Sequence, residues 1–295
     1  MNIIEVENLT KTYGELTAVD HISFTVEKGT MLGFLGVNGA GKSTAINMLS
    51  TLLRPDGGTA TVCGHRLGQE DESIRRKIGI VYQQNVLDDL LTVKENLLCR
   101  GILHGATRSE AHTQMARLSE ILKLGDILRK PYRLLSGGQK RRCEIAAALM
   151  HTPELLFLDE PTTGLDPATR KDVWEIIEAL RRDENMTVFL TTHYMEEAAE
   201  ADRIIILDHG QIVTSGTPFE LKERYAKDKL RLFCDPSELT LKGEITPFGM
   251  EIPLASTMEA LPILERVKNH IQGFEVIQGN MDDVFLNAVG KALED

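Results

Sequence analysis

GVNGAGKST, Gly36 to Thr44, is the stretch whose reading decides the fold. An apolar run, MLGFLG, enters it, and STAINMLSTLL carries it onward with apolar residues at helical spacing, so the order is buried strand, glycine-rich loop, helix. The letters fit G-x-x-x-x-G-K-[ST], a loop that holds phosphate. Gly36, Gly39 and Gly41 permit backbone angles that turn successive N–H groups inward, and the positive end of the following helix adds to the same cradle. A side chain at those glycines would crowd the phosphates. Asn38 and Ala40 complete the loop backbone. Lys42 can set a compact charge on the terminal phosphate oxygens, the Ser43 hydroxyl is the expected ligand of Mg2+, and Thr44 extends the same rim.

Upstream, IIEVENLTKTYG and AVDHISFTVEKG show β-branched alternation and end on turn glycines, Gly14 and Gly29, which predicts an antiparallel opening layer. From about Thr92 to His151 the chain reads as a helical insert: TVKENLLCRGILHG, RSEAHTQMARLSEILKLGDIL and QKRRCEIAAALMH, with Pro131 and the Gly137-Gly138 pair as breaks. From Glu154, the segments ELLFLDE, ATRKDVWEIIEALRRD, MTVFLTTH, YMEEAAEA and RIIILDHGQIV alternate strand with helix, the signature of parallel strands joined by crossover helices. After about Tyr225 the texture shifts to AKDKLR, RLFCD, an amphipathic STMEALPILERVKNHI, FEVIQG and MDDVFLNAVGKAL. That change predicts a large domain over residues 1–225 and a small α/β domain over residues 226–295.

With 295 residues and 42% hydrophobic content, the chain can bury a full core. A formal net charge of -11 argues against a nucleic-acid binder, which needs a cationic face to displace counterions. Cys63, Cys99, Cys143 and Cys234 lie far apart without a CxxC pair, so neither a zinc site nor a disulfide framework is expected. MNIIEVENLT lacks the basic and apolar regions of a leader, and no run of about 18 apolar residues occurs. The expectation is a chain neither secreted nor spanning a membrane by itself.

LLFLDEP, Leu155 to Pro161, is an apolar run that ends in two acids, as a central strand does where its tip faces a ligand. Asp159 is placed to hold the magnesium shell, and Glu160 to act as general base on the water that attacks the γ-phosphate. LSGGQ, Leu135 to Gln139, opens a helix and so offers a second anion-binding terminus. One nucleotide rarely needs two.

LSGGQ upstream of LLFLDEP, together with GVNGAGKST, resembles the ATP-binding cassette family, over roughly residues 1 to 225. The resemblance implies an α/β fold: a P-loop NTPase core with an antiparallel β layer and the helical insert, followed by the small C-terminal domain. It further implies an ATPase that uses ATP and Mg2+ and pairs head to tail with a second cassette, a second copy of this chain. Each ATP then lies between the phosphate loop of one subunit and Ser136, Gly137, Gly138 and Gln139 of the other. Tyr13, in KTYG, resembles the aromatic that stacks on adenine. Gln83, in IGIVYQ, matches the glutamine that reaches magnesium and the water; Gln84 follows it directly. His193, in LTTH, resembles the switch histidine at the γ-phosphate, and Asp166, in GLDP, the loop that crosses between subunits. His65, His104 and His151 lack such context and read as surface or packing residues. Val37 stands where many relatives carry proline, and Ala147 where many carry arginine. Neither departure removes a phosphate ligand, so the expected effects are confined to loop stiffness and one surface ion pair.

TTHYMEEAAEADRIIILDHGQIVTSGTP and MDDVFL resemble export-type cassettes of the drug, polysaccharide or lipid group. This implies a separate multi-span membrane permease as partner, met near Gln83 and Asp88 to Thr92, and a cytoplasmic position on the inner face of the cell membrane. A soluble cassette acting on ribosomes or DNA is the alternative, but tandem cassettes or a long coiled coil would accompany it, and neither is present. A binding module without turnover is disfavoured because Glu160 and His193 are both intact.

Overall fold

The computed structural model describes residues 1–236, 241–247 and 249–292. They fall into two compact units, one of residues 1–193 with 201–212 and the other of residues 194–200 with those described from 213 onward.

The first unit opens with β1 (Asn2–Tyr13) and β2 (Leu16–Glu27), an antiparallel pair turned at Gly14, whose φ of 61° suits glycine. β3 (Met31–Leu35) is buried at all five positions and feeds the glycine loop and α1 (Lys42–Leu49). β4 (Gly57–Val62) and the two-residue β5 (His65–Arg66) close a four-stranded sheet in the order β2-β1-β4-β5. After α2 (Asp71–Lys77), β6 (Ile78–Val81) enters the second sheet.

The helical insert holds α3 (Val93–Leu103), α4 (Arg108–Ile121) and α5 (Gly137–Leu149). Each starts at a capping box, Thr92 with Glu95, Thr107 with Glu110 and Ser136 with Gln139, which satisfies otherwise orphaned first-turn amides. Gly137 and Gly138 are therefore the first turn of a helix and not the break expected from their conformational freedom. The break lies at Ser136, because its cap supplies the nucleating hydrogen bonds that two glycines lack. α4 ends sooner than its sequence suggests, with Lys123 in a left-handed conformation at φ 52°.

β7 (Leu155–Asp159), α6 (Pro167–Glu184), β8 (Thr187–Thr192), the four-residue α7 (Met195–Ala198), β9 (Arg203–Asp208) and β10 (Gln211–Gly216) follow. The second sheet runs β10-β9-β3-β8-β7-β6, and β9, β3, β8, β7 and β6 pair in parallel. Phe24 on β2, Phe34 on β3, Phe189 on β8 and Phe157 on β7 form a chain of tilted rings, with centroids 5.6, 5.2 and 5.3 Å apart. Each such contact contributes about 0.5–1.5 kcal/mol beyond area burial and ties the antiparallel layer to the parallel sheet. Burial pushes the Cys63 and Cys143 thiols up to about 11 and about 12, so both behave as small apolar core groups.

The second unit contains α8 (Pro218–Tyr225), β11 (Asp228–Phe233), β12 (Glu244–Thr246), β13 (Gly249–Leu254), α9 (Ala260–Val267), β14 (Gly273–Ile277) and α10 (Met281–Ala292). Its antiparallel sheet runs β12-β13-β11-β14, and Leu230, Leu232, Met250, Ile252 and Leu254 form its core with α9. α8 packs on α10, and Asn287 Nδ2 donates to the Tyr225 carbonyl at 2.7 Å. The division of the chain therefore falls before α8, ahead of the expected cut between residues 225 and 226. Leu293, which ends the last segment expected to be helical, lies outside the described residues. Among the described residues no helix is long and apolar enough to cross a membrane.

Candidate functional site

Register places four strand tips side by side. Leu35 of β3 pairs with Thr192 of β8, Thr191 with Asp159 of β7, and Leu158 with Val81 of β6. The glycine loop, His193, Asp159 with Glu160, and Gln83 all leave the sheet at this carboxyl edge, where open parallel sheets bind their ligands.

The loop is built as a cradle. Gly39 and Gly41 have φ of 88° and 105°, which favour glycine. A Cβ at Gly41 would sit 2.2 Å from the Ala18 carbonyl oxygen, and one at Gly36 would sit 2.5 Å from that of Leu207, so larger residues cannot follow this path. A Cβ at Gly39 would meet nothing within 4 Å and would point into open space. Gly41 caps α1 without a side-chain hydrogen bond, so the first-turn amides face a site suited to an anion. Val37, half exposed, lends its carbonyl to Lys42, a contact that needs no proline ring.

Lys42 is 4% exposed; its Nζ donates to the carbonyls of Gly36 at 2.7 Å and Val37 at 3.1 Å. Burial lowers its pKa from the usual lysine value, opposed by the carboxylates of Glu160 and Asp159. Ser43 Oγ donates to Asp159 Oδ1 at 3.3 Å, and the same oxygen accepts from Thr191 Oγ1 at 2.6 Å.

Glu160 is where the groups converge. Its Oε2 accepts from Gln83 Nε2 at 3.0 Å and Thr163 Oγ1 at 3.1 Å, and His193 Nδ1 lies 3.2 Å away. Its Oε1 lies 3.7 Å from Lys42 Nζ. Its backbone is left-handed at φ 46°, anchored by N–H donation to the carbonyl of Thr191 at 3.0 Å.

Ser136, Gly137, Gly138 and Gln139 form a second cluster with Asp166. The side chains of Ser136 and Gln139 close the cap of α5, leaving the backbone amides of its first turn toward solvent. A Cβ at Gly138 would meet Thr169 Cγ2 at 2.2 Å, so only glycine lets α5 approach α6 this closely. Asp166 caps α6 by accepting from Thr169 N at 3.1 Å, and the Thr169 contacts hold its carboxyl below the usual range. Tyr13 ends β1 with 49% of its surface exposed, and Lys11 Nζ lies 5.6 Å above its ring. Thr44 follows Ser43 in the first turn of α1.

Sequence reasoning missed four residues. Thr163 and Thr191 hold the two acids; the sequence signal for Thr163 is its place just before GLDP and for Thr191 its place within LTTH. Arg141 and Glu144, three apart on α5, are buried: Arg141 reaches carbonyls of Tyr82, Gln83 and Glu160, while Glu144 accepts from the amides of Val86 and Leu87 and from the Tyr132 hydroxyl. Ala147, taken from sequence as a surface position, is 6% exposed because it packs on the inner face of α5. It lines a groove of about 190 Å3 with Leu52, Tyr82, Val86, Arg100 and His104. His104 and His151 stack there at 4.0 Å, and His151 Nε2 lies 2.9 Å from the Ile78 carbonyl oxygen.

A profile described as ABC transporter matches residues 19–163. The chain is 40% identical to the daunorubicin/doxorubicin resistance ATP-binding protein of Streptomyces peucetius, over 99% of this chain and 94% of that one. It is 37% identical to the linearmycin resistance ATP-binding protein of Bacillus subtilis, over 99% of this chain and all of that one. Among solved structures, a dimeric ATP-binding cassette in a post-hydrolysis state bound to ADP and Pi superposes with a TM-score of 0.65 at 30% identity, covering 73% of this chain and 98% of that one. The cbiO1 protein of Clostridium perfringens, part of an ABC transporter complex, gives 0.69 at 26% identity, covering 75% and 90%. With the phosphate loop, the acidic strand tip and these relatives in agreement, the chain belongs to the ABC transporter family, as one of its ATP-binding, ATP-hydrolysing subunits.

Proposed function

We propose that this subunit closes with a second copy of itself around two ATP molecules and drives export through a separate multi-span membrane subunit. The observation that carries the reading is the convergence of Gln83, His193 and Lys42 on one carboxylate, Glu160, at the tip of β7. In this reading the loop amides from Gly36 to Thr44, with Asn38, Gly39, Ala40 and Gly41 in its turn, bind the phosphates and Tyr13 stacks on adenine. Lys42 leaves the loop carbonyls for the terminal phosphates. Glu160 takes a proton from the attacking water as general base, worth roughly a hundred- to ten-thousand-fold in rate. Gln83 and His193 orient that water and the γ-phosphate. Ser136, Gly137, Gly138 and Gln139 meet the nucleotide of the other copy, and Asp166 sits at the junction.

The donors present suit magnesium. Ser43 and Asp159 offer two hard oxygens 3.3 Å apart, with the amide of Gln83 nearby on Glu160; an ion that keeps several waters needs few protein ligands beyond the phosphates. Bound there, it would neutralise charge on the β- and γ-oxygens.

The membrane partner is proposed to dock in the groove beside Tyr82 and Val86, next to Gln83 and the segment Asp88 to Thr92, where Leu90 is 77% exposed. In this reading the subunit lies on the inner face of the cell membrane, and the names of its relatives, drug resistance and Nod factor export, favour outward transport. Residues 226–295 are proposed to stabilise or regulate the closed pair; their removal should alter ATP-dependent dimerisation. Affinity purification from membranes tests the main reading. A polytopic membrane protein recovered with the subunit supports it; recovery of ribosomes or DNA instead would overturn it.

A further inference from the structure

Arg141 is 4% exposed, and its hydrogen bonds run to backbone oxygens. Its Nη1 donates to the Tyr82 carbonyl at 2.6 Å, and its Nη2 to the carbonyls of Gln83 at 3.4 Å and Glu160 at 3.1 Å. A buried guanidinium is costly to desolvate, and a planar fork aimed at three carbonyls is a geometric device that a lysine cannot copy. Two of those carbonyls belong to the residues whose side chains meet at 3.0 Å, Gln83 and Glu160. One of them, Glu160, has a left-handed backbone at φ 46°, a strained conformation for a residue with a Cβ. The peptides on either side of the Glu160 Cα are both held: its N–H by the Thr191 carbonyl, its own carbonyl by Arg141.

We propose that Arg141 is a positioning residue for ATP hydrolysis: from α5 it fixes the peptides of Glu160 and Gln83, and thereby the geometry of the carboxylate and the amide at the γ-phosphate. This rests on the catalytic reading of Glu160 and adds a consequence. Arg141 sits in the second turn of the helix whose cap, Ser136, opens the segment proposed to meet the other copy's nucleotide. A shift of α5 on closure is thus passed to the chain's own general base, directly through the Glu160 carbonyl and indirectly through Gln83, whose amide donates to the Glu160 carboxylate. Engagement at one site would set the readiness of the other.

Arg142 supplies the control. It also bonds carbonyls, those of Leu122 at 3.3 Å and Lys123 at 3.2 Å, but they lie in the helical insert away from Glu160. Steady-state ATPase of the full chain, with kcat and KM separated, is compared for Arg141→Lys and Arg142→Lys. Arg141→Lys should lower kcat about a hundredfold, the scale of an ångström misplacement of a reacting group, with KM for ATP within about threefold of the parent. Arg142→Lys should leave kcat unchanged. If Arg141 acts through Glu160, adding Arg141→Lys to Glu160→Gln costs the residual turnover nothing further. Arg141→Met, which keeps the length of the aliphatic stem and donates to none of the three carbonyls, gives the same readings should lysine leave the chain unfolded. Parental kcat in the Arg141 variants, equal losses in the two lysine variants, or additivity with Glu160→Gln would each overturn the proposal. An inactive parent would instead contradict the ATPase reading itself.

Discussion

Lys42 Nζ lies 3.7 Å from Glu160 Oε1, and both side chains are almost fully buried. The lysine of the phosphate loop and the acid of the strand tip therefore share one buried site, where charge interactions are strong and an unpaired charge is costly. Lys42→Ala removes the cation that the terminal phosphates require and leaves the buried Glu160 carboxylate to Gln83, Thr163 and His193. ATP turnover should fall by at least about a hundredfold, as when a fixed transition-state donor is lost. A phosphate-release assay checks this, and turnover near that of the parent would refute the role of the lysine.

Ser136→Arg alters the other end of the site. An arginine at that position loses the cap of α5 and fills the space in front of its first-turn amides. ATP hydrolysis should be lost while the isolated monomer still binds ATP, measurable by fluorescence titration with a nucleotide analogue. Equal turnover in the variant would remove the case for a site shared between copies.

The stacked histidines give the fold a pH dependence. Burial and the neighbouring His104 push His151 down to about 4 from 6.5, and burial lowers His104 as well. The unfolded chain therefore takes up protons below about pH 6.5 that folded His151 refuses, so stability is full above that pH and falls as pH drops towards 4. Between pH 7.5 and 5 the loss from His151 is on the order of 2 kcal/mol. His151→Gln should flatten this part of the curve, read from urea midpoints at the two pH values. An identical drop in the variant would show that His151 does not carry it.

The parts of the site that are legible in sequence are those whose chemistry is local. Gly36 to Thr44 declares itself because three glycines, a lysine and a hydroxyl act within nine residues between a strand and a helix. Asp159 and Glu160 declare themselves because an apolar, fully buried strand that runs directly into two acids needs a ligand at its tip. Arg141 does not, because a cation on a helix reads as solvated until its carbonyl partners, 59, 58 and 19 residues away, are brought to it by the sheet. Ala147 misled for the same reason: which face of α5 is buried depends on β6, a strand of four residues too short to stand out. In the second unit, β13 carries Pro253, which argues against a strand until the β12 pairing, which reaches only to Glu251, is seen to ask no hydrogen bond of the proline nitrogen.

The central claim is that one ATP is gripped by two copies of this chain, and Glu160→Gln tests it most directly. The amide keeps the shape of the side chain but cannot take the proton, so bound ATP should persist and hold the pair closed. Size-exclusion chromatography of this variant with Mg2+ and ATP should show a dimer that dissociates when nucleotide is withdrawn. A variant that binds ATP and still elutes as a monomer would contradict the account.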